Sequence, residues 1–135
     1  MQTPRRFLDF FINGESLHDR HGFDLISPLG WFVAEEDEHA ARRLLGAEPP
    51  DLEGRVAIYV CAECGDLECG AITAIIEREG KNVLWRDLAS TNFDALADDW
   101  TYDDDVFKSW RGFRFNAEEY LAALTNRPAP VEPSL

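Results

Sequence analysis

The hydrophobic and polar positions between residues 55 and 88 form three runs rich in β-branched and aromatic side chains. In the middle run, Ile72, Ala74 and Ile76 occupy every second position, and a mixture of polar and apolar residues lies between them. This period of two predicts strands with one heavily buried face and one mixed face. The connections are too short for a crossover, so the three strands must pair antiparallel.

A hairpin is predicted before this central region. An apolar run over residues 7–12 ends at Asn13-Gly14, a dipeptide that accepts positive φ and favours a two-residue turn. We therefore expect residues 6–12 to pair with residues 15–18. A short apolar run at 23–26 and a Ser-Pro-Leu-Gly breaker at 27–30 follow.

The first helix is predicted over residues 35–46. Acidic residues crowd its N-terminal end, Arg42 and Arg43 lie in its last turn, and Gly46 is placed as a C-terminal stop. Its thin apolar stripe is made of Ala34, Ala41, Leu44 and Leu45.

The second helix is predicted over residues 116–125. Asn116 with Glu119 three residues later forms a capping box, and Phe115 with Tyr120 has the spacing of a hydrophobic staple. The predicted buried stripe consists of Tyr120, Leu121 and Leu124.

Residues 87–105 contain seven Asp and no Lys or Arg, with three aromatic residues among them. Helical and strand periodicities are both weak in this segment, so we predict a long loop with one short helix around residues 95–99.

These elements predict a single α+β domain over residues 1–126. An antiparallel sheet of about four to six strands would carry the two helices, which fits the size of one ordinary domain. Residues 127–135 contain three prolines and are predicted to be a flexible tail.

The chain carries 26 acidic and 13 basic residues, a formal net charge of −13. A field of this sign repels phosphate backbones and anionic lipid, which argues against direct binding to nucleic acid or membranes. It accelerates encounter with a basic protein partner. The other interpretation is that the charge serves only solubility.

The compartment is predicted to be the cytoplasm. The chain shows no signal-peptide pattern at its start and no apolar run near the roughly 18 residues of a membrane span. Three cysteines, an odd number, argue against a full disulfide framework.

The cysteines lie in one predicted turn. Cys61-x-x-Cys64-Gly has the form of a zinc knuckle, and Cys69-Gly resembles half of a second one. The fourth zinc ligand would come from His18, His21, His39, Asp66 or water. Redox use is disfavoured because three nearby acidic side chains oppose thiolate formation. In the simplest interpretation the thiols only pack at strand ends.

Other chemistry is less favoured. His18-x-x-His21 would suit a metal or acid–base site, but a two-histidine polar turn is usually solvated. The aspartates lack the D-x-D-x-D-G pattern of a calcium loop. Phosphate-loop, nucleophile-elbow and H-E-x-x-H motifs are also missing from the sequence, so we do not predict an enzyme.

The Asp-rich segment is instead a candidate contact surface, because aromatic anchors carry interface energy and carboxylates match Lys and Arg on a partner. The predicted partner-binding residues are Asp98, Asp99, Trp100, Tyr102, Asp103, Asp104 and Asp105. The alternative is an acidic loop folded over the sheet with its aromatic side chains in the core.

Several short pieces carry a resemblance. They are Gly30-Trp31, Tyr59-Val60-Cys61, Cys64-Gly65-Asp66, Cys69-Gly70-Ala71-Ile72, Trp85-Arg86-Asp87, and Phe113-Arg114-Phe115 with Tyr120. Together they resemble a family of small, largely uncharacterised bacterial proteins with a C-x-E-C-G-D-x-x-C-G turn. The resemblance implies a shared fold and no particular activity. In size and acidity the chain is also similar to immunity proteins of contact-dependent growth-inhibition and other polymorphic toxin systems.

The sequence therefore favours an acidic cytosolic binding protein that neutralises a basic partner, such as the immunity protein of a nuclease toxin. The alternative is a zinc- or thiol-dependent protein that uses Cys61, Cys64 and Cys69.

Overall fold

A computed structural model describes residues 10–12, 15–16, 25–29, 34–52, 54–61, 70–103 and 112–127 of the chain. In chain order its elements are β1 (Phe11–Ile12), β2 (Glu15–Ser16), β3 (Leu25–Ile26), α1 (Ala34–Leu45), β4 (Val56–Cys61), β5 (Ala71–Glu79), β6 (Asn82–Asp94), β7 (Asp99–Asp103), β8 (Phe113–Asn116) and α2 (Ala117–Thr125).

The main sheet has six strands, and all of its pairings are antiparallel. Strands β3 to β7 follow one another in chain order across it. The 13-residue β6 has two partners on its far side, because β8 pairs with residues 82–85 and β7 with residues 90–94. With two helices, this confirms the predicted α+β fold.

The β1–β2 ladder agrees with the predicted first hairpin. Ile12 pairs with Glu15, so a two-residue connection lies between them. The other residues assigned to that hairpin, 6–9 and 17–18, lie outside the described part of the chain.

One face of the sheet, which we call the helix face, packs against both helices. Its core includes Ala41 and Leu44 of α1, Leu124 of α2, and Ile72 and Trp85 of the sheet. Trp85 is 2% exposed and is surrounded by four aromatic rings at centroid distances between 5.0 and 6.4 Å. These rings belong to Phe10, Phe113, Phe115 and Tyr120.

The other face, which we call the second face, is built from small side chains where β4, β5 and β6 meet. Thr73 and Thr91 are fully buried, and their hydroxyl oxygens lie 2.9 Å apart. The prediction was one heavily buried face and one mixed face, and on the second face Thr73 is buried, Ile75 is half-buried and Glu77 is exposed.

A β-bulge keeps β6 in phase with β5. Thr73 pairs with Ala89, whereas Ile75 pairs with Arg86, so one extra residue of β6 lies between these pairs. Asp87 accommodates the extra residue by adopting a left-handed backbone conformation, with φ 51°. The bulge lets a single strand keep Trp85 and Leu88 on the helix face.

Both predicted helices are present with nearly the expected bounds. Gly46 ends α1 at φ 77°, a conformation that glycine adopts without cost. At α2, the Asn116 side chain accepts a hydrogen bond from the Glu119 amide at 3.0 Å, which confirms the N-cap. The predicted staple is confirmed by Phe115 and Tyr120, whose ring centroids lie 5.4 Å apart.

The predicted apolar stripes were partly wrong. Leu45 is 37% exposed and Leu121 is 53% exposed, although both were assigned to buried faces. Only Leu44 and Leu124 of these leucine pairs enter the core. The spacing along a helix fixes a face, but the rotation of the docked helix decides which edge of that face is covered.

The predicted loop over residues 87–105 is wrong for residues 87–94 and 99–103, which form strands, and agrees with the structure only at the turn of residues 95–98. β6 continues to Asp94, four turn residues follow, and β7 returns antiparallel from Asp99 to Asp103. No helix forms around residues 95–99. Backbone pairing to a buried neighbouring strand outweighs the weak local preference for strand.

Arg127, the first residue of the predicted tail, binds α1. Its guanidinium donates to Asp37 Oδ2 from Nε at 2.9 Å and from a terminal nitrogen at 2.6 Å, and to Glu38 Oε2 at 3.0 Å. Residues 128–135 lie outside the described part, so the flexible tail stays a prediction. Among the described residues, no helix is long and apolar enough to cross a membrane.

Candidate functional site

The acidic hairpin, residues 90–103, is formed by the last part of β6, its turn and β7. Asp94 and Asp99 face each other directly across the two strands. The Asp94 carboxylate closes the turn, because its Oδ1 accepts from the amides of Leu96 at 3.0 Å and Ala97 at 3.3 Å. Asp98 completes the turn at φ 51°, a left-handed conformation that Asp and Asn tolerate better than most residues.

The strand period divides the hairpin between the two faces of the sheet. Asp94, Asp99 and Asp103 lie on the helix-face side with Asn92 and Thr101. The rings of Phe93, Trp100 and Tyr102 lie on the second face. The hairpin is therefore a ribbon with one acidic side and one aromatic side.

The described residues provide no counter-charge at the tip of the acidic side. Within the part of the chain that the structure describes, no Lys, Arg or His forms an ion pair with Asp94, Asp98 or Asp99. All three are exposed, and two of them are direct cross-strand neighbours. Like charges in that position destabilise an antiparallel pair. Among the described side chains, no cation offsets the repulsion between Asp94 and Asp99.

The aromatic side is anchored but not buried in the core. The rings of Phe93 and Trp100 meet edge to face with centroids 5.2 Å apart. Tyr102 is 39% exposed, and the guanidinium carbon of Arg55 lies 4.9 Å from the centre of its ring. This geometry is a cation–π contact.

Arg55 holds that contact in place from the second face. Its guanidinium donates to the carbonyl oxygen of Asp87 at 2.7 Å and to the Thr73 hydroxyl at 3.3 Å. The bulge at Asp87 thus supplies the acceptor that positions Arg55 under Tyr102. Tyr and Arg are enriched among the residues that contribute most to binding energy in protein interfaces. Here the cation–π contact and the hydrogen bonds of Arg55 hold both side chains in place.

The structure brings five of the seven predicted partner-binding residues together on the acidic hairpin. Asp98, Asp99 and Asp103 are exposed carboxylates, Trp100 is half-buried, and Tyr102 is exposed. The predicted Asp104 and Asp105 lie outside the described residues. The five do not form one mixed patch, because the strand separates the carboxylates of β7 from its aromatic rings.

Sequence reasoning missed two residues of this surface. Asp94 was not included because the segment was interpreted as a loop, in which cross-strand neighbours do not exist. Leu96 lies at the tip of the turn with its side chain fully exposed, at 101% of the reference value. The alternation of residues 89–94 was the available signal for both, since it continues the pattern of the preceding strand.

The cysteine turn is described only at its first residue. Cys61 is half-buried at the end of β4 and pairs with Leu25 of β3. Its predicted co-ligands Cys64 and Cys69, and the candidates His18, His21 and Asp66, lie outside the described part. Among the described side chains, no three His, Cys, Asp or Glu residues converge as metal ligands would. The zinc and thiol functions stay predictions.

His39, the remaining candidate for a fourth zinc ligand, has another contact. Its Nδ1 lies 2.8 Å from Oε1 of Glu48 and 3.0 Å from Oε2, on the turn that follows α1. This contact connects the middle of α1 to the segment that leads into β4.

Comparisons with protein-family models, curated proteins and solved structures found no match to this chain. The resemblance to a bacterial family and the similarity to immunity proteins therefore stay predictions.

Proposed function

We propose that the protein is an acidic binding protein that neutralises a basic protein partner in the cytosol, and that the acidic hairpin is the surface that contacts it. The supporting observation is the directly opposed pair Asp94 and Asp99, which lacks any cation among the described residues. A cross-strand like-charge pair costs stability in the free protein. Lysine or arginine from a partner would convert this repulsion into attraction.

The hairpin also carries the apolar contacts that an interface needs. Leu96 is fully exposed at the tip, next to the carboxylates, and Tyr102 is held by Arg55 on the opposite side. Apolar and aromatic anchors provide most of the affinity in protein interfaces, while surrounding charges set the association rate. A concave partner surface would contact both sides of the ribbon at once.

The most plausible partner class is a nuclease toxin domain, which would make this protein an immunity protein. An enzyme that binds RNA or DNA must present cations to phosphate groups. The three carboxylates at the hairpin tip would occupy such a site as a phosphate mimic. The formal net charge of −13 would steer the encounter of the two proteins.

The direct test pairs the protein with the products of its neighbouring genes. Each product is co-purified with the tagged protein, and retained products are assayed for nuclease activity with and without it. We expect a basic domain to be retained and its nuclease activity to be inhibited. Retention of no basic product would contradict a basic partner, and retention without inhibition would contradict the toxin assignment.

Matched variants locate the surface. Replacing Asp94, Asp98 and Asp99 by Asn removes three charges from the hairpin, and replacing Glu36, Glu79 and Glu118 by Gln removes three exposed charges elsewhere. We expect the first variant to lower the association rate constant at least tenfold in low salt and to flatten its salt dependence. Equal effects of the two variants would show that only the net charge matters.

A further inference from the structure

A cleft of about 370 Å³ lies between the C-terminal turn of α1 and the sheet. It is lined by Arg43, Gly46, Ala47, Glu48, Pro49, Pro50, Gly54, Val56 and Ile76. Ile76 pairs with Trp85, nine residues before Asp94 on β6. At about 3.3 Å per residue, roughly 30 Å of strand separates the cleft from the tip of the acidic hairpin. The cleft is therefore a separate site.

The floor and one wall of the cleft are apolar. Val56 and Ile76 belong to the edge of the core on the helix face, and the two prolines stand beside them. Proline has no N–H group, so the Pro49-Pro50 wall offers no backbone donor to a ligand. An apolar group of an occupant would fit this side of the cleft, against Val56, Ile76 and the proline rings.

The lining of the cleft includes one charged side chain of each sign, Arg43 and Glu48. Arg43 is half-buried, and the one carboxylate that it contacts among the described residues is Asp51, whose Oδ1 lies 3.3 Å from a terminal guanidinium nitrogen. A guanidinium has five N–H donors, so this contact leaves several of them for other acceptors. The Asp51 carboxylate is held in place through its other oxygen, Oδ2, which accepts a hydrogen bond from the Ala57 amide at 2.9 Å. Arg43 is thus held at the cleft with donor capacity to spare.

The negative wall is Glu48, whose side chain is 19% exposed. His39 Nδ1 and Arg42, at 2.8 and 3.8 Å from its Oε1, fix the orientation of its carboxylate. A carboxylate offers about four lone-pair sites, so these contacts leave it able to accept further hydrogen bonds. The cleft therefore presents a guanidinium, a carboxylate and an apolar floor within one small volume.

We infer that this cleft binds a free α-amino acid with an apolar side chain. The ligand carboxylate would accept hydrogen bonds from Arg43, its ammonium group would donate to Glu48, and its side chain would cover Val56 and Ile76. A zwitterion leaves the charge of the protein unchanged, whereas a simple anion would meet the repulsion of a chain with net charge −13. A simple cation would offer no acceptor to the remaining donors of Arg43.

The test is a calorimetric titration of the full chain with phenylalanine and two analogues that each lack one charge. These are 3-phenylpropanoate, without the ammonium group, and 2-phenylethylamine, without the carboxylate. We expect phenylalanine to bind with a dissociation constant in the millimolar range or below, and at least tenfold more tightly than either analogue. No binding of phenylalanine, or equal binding of an analogue, would overturn the inference.

Variants tie the ligand to the cleft. Arg43→Gln and Glu48→Gln should each weaken phenylalanine binding at least tenfold, whereas Arg114→Gln on exposed β8 should leave it unchanged. Because the comparison of analogues uses the unaltered protein, it stays decisive even where a variant folds poorly. Unchanged binding by folded Arg43→Gln would place the ligand elsewhere and overturn the assignment.

Discussion

Tyr120 joins three parts of the molecule through one hydroxyl group. It accepts from the indole nitrogen of Trp85 at 3.1 Å and donates to the carbonyl oxygen of Leu44 at 2.6 Å. The second bond satisfies one of the carbonyl groups that the end of α1 leaves without an intrahelical partner. One side chain of α2 thus connects the sheet core with α1.

Tyr120→Phe should lower the free energy of unfolding by about 1–3 kcal/mol, because the buried Trp85 donor loses its acceptor. Urea denaturation measures the loss. The matched control is Tyr102→Phe, which removes a hydroxyl from an exposed ring and should change stability by less than about 0.5 kcal/mol. Equal effects of the two substitutions would contradict the role of the Tyr120 hydroxyl.

The same side chain predicts a pH dependence. Burial raises the pKa of Tyr120 well above its ordinary value. In the unfolded chain this phenol ionises near pH 10, so its contribution to stability is complete below about pH 10 and is lost as the pH rises further. Stability measured from pH 9 to pH 11 should therefore fall more steeply for the unaltered protein than for Tyr120→Phe. If the stability of both proteins fell equally with pH, the raised pKa of Tyr120 would not contribute to the stability of the fold.

At the scale of elements, the two helices are tied together by Arg127 and Asp37. Asp37 is 4% exposed, so little bulk water reaches its carboxylate to compete with the Arg127 guanidinium. The neighbouring Glu38 is more exposed, and hydrogen bonds from Arg127 and then Arg42 lower its pKa. The contact connects Arg127, two residues beyond the end of α2, to the first turns of α1.

Arg127→Met should destabilise the fold by about 3 kcal/mol, since it leaves a buried carboxylate without its guanidinium. Arg114→Met is the control, because Arg114 is an exposed arginine of β8. Thermal and urea unfolding of both variants measure the difference. A loss below about 0.5 kcal/mol for Arg127→Met would show that the domain does not depend on this ion pair.

In the acidic hairpin, a substitution that removes a charge should stabilise the fold, whereas Arg127→Met should destabilise it. Asp99→Asn keeps the oxygen that accepts from the Trp100 amide at 2.8 Å but removes the repulsion with Asp94. We expect a gain of about 0.2–1 kcal/mol in low salt, which should shrink at 1 M salt as the Debye length falls to about 3 Å. A loss of stability, or a gain independent of salt, would contradict the described repulsion.

The elements that could be predicted from the sequence are those fixed by local contacts. The cap at Asn116 and the stop at Gly46 depend on neighbouring residues, so their positions were correct. β7 was missed although Trp100 and Tyr102 alternate with polar residues, because this alternation spans only five residues and the strand is stabilised by pairing with β6. The same error hid the opposition of Asp94 and Asp99, although the sequence did indicate five residues of that hairpin.

For the whole molecule, the question is whether the net charge of −13 acts as a diffuse field or through one surface. Some exposed carboxylates have cations beside them, as in the contacts of Glu38 with Arg42 and of Glu77 with Arg86. The hairpin tip instead groups three exposed carboxylates, Asp94, Asp98 and Asp99, without an ion pair to any cation among the described residues. We therefore expect the attraction for cations to be strongest at this hairpin.

The most direct measurement is an NMR titration of the isotope-labelled protein with a short arginine-rich peptide in low salt. We expect the amide shifts to concentrate at residues 94–103, to disappear when Asp94, Asp98 and Asp99 are replaced by Asn, and to persist when Glu36, Glu79 and Glu118 are replaced by Gln. Shifts spread evenly over the acidic surface, or equal losses in the two variants, would contradict a binding site on the acidic hairpin.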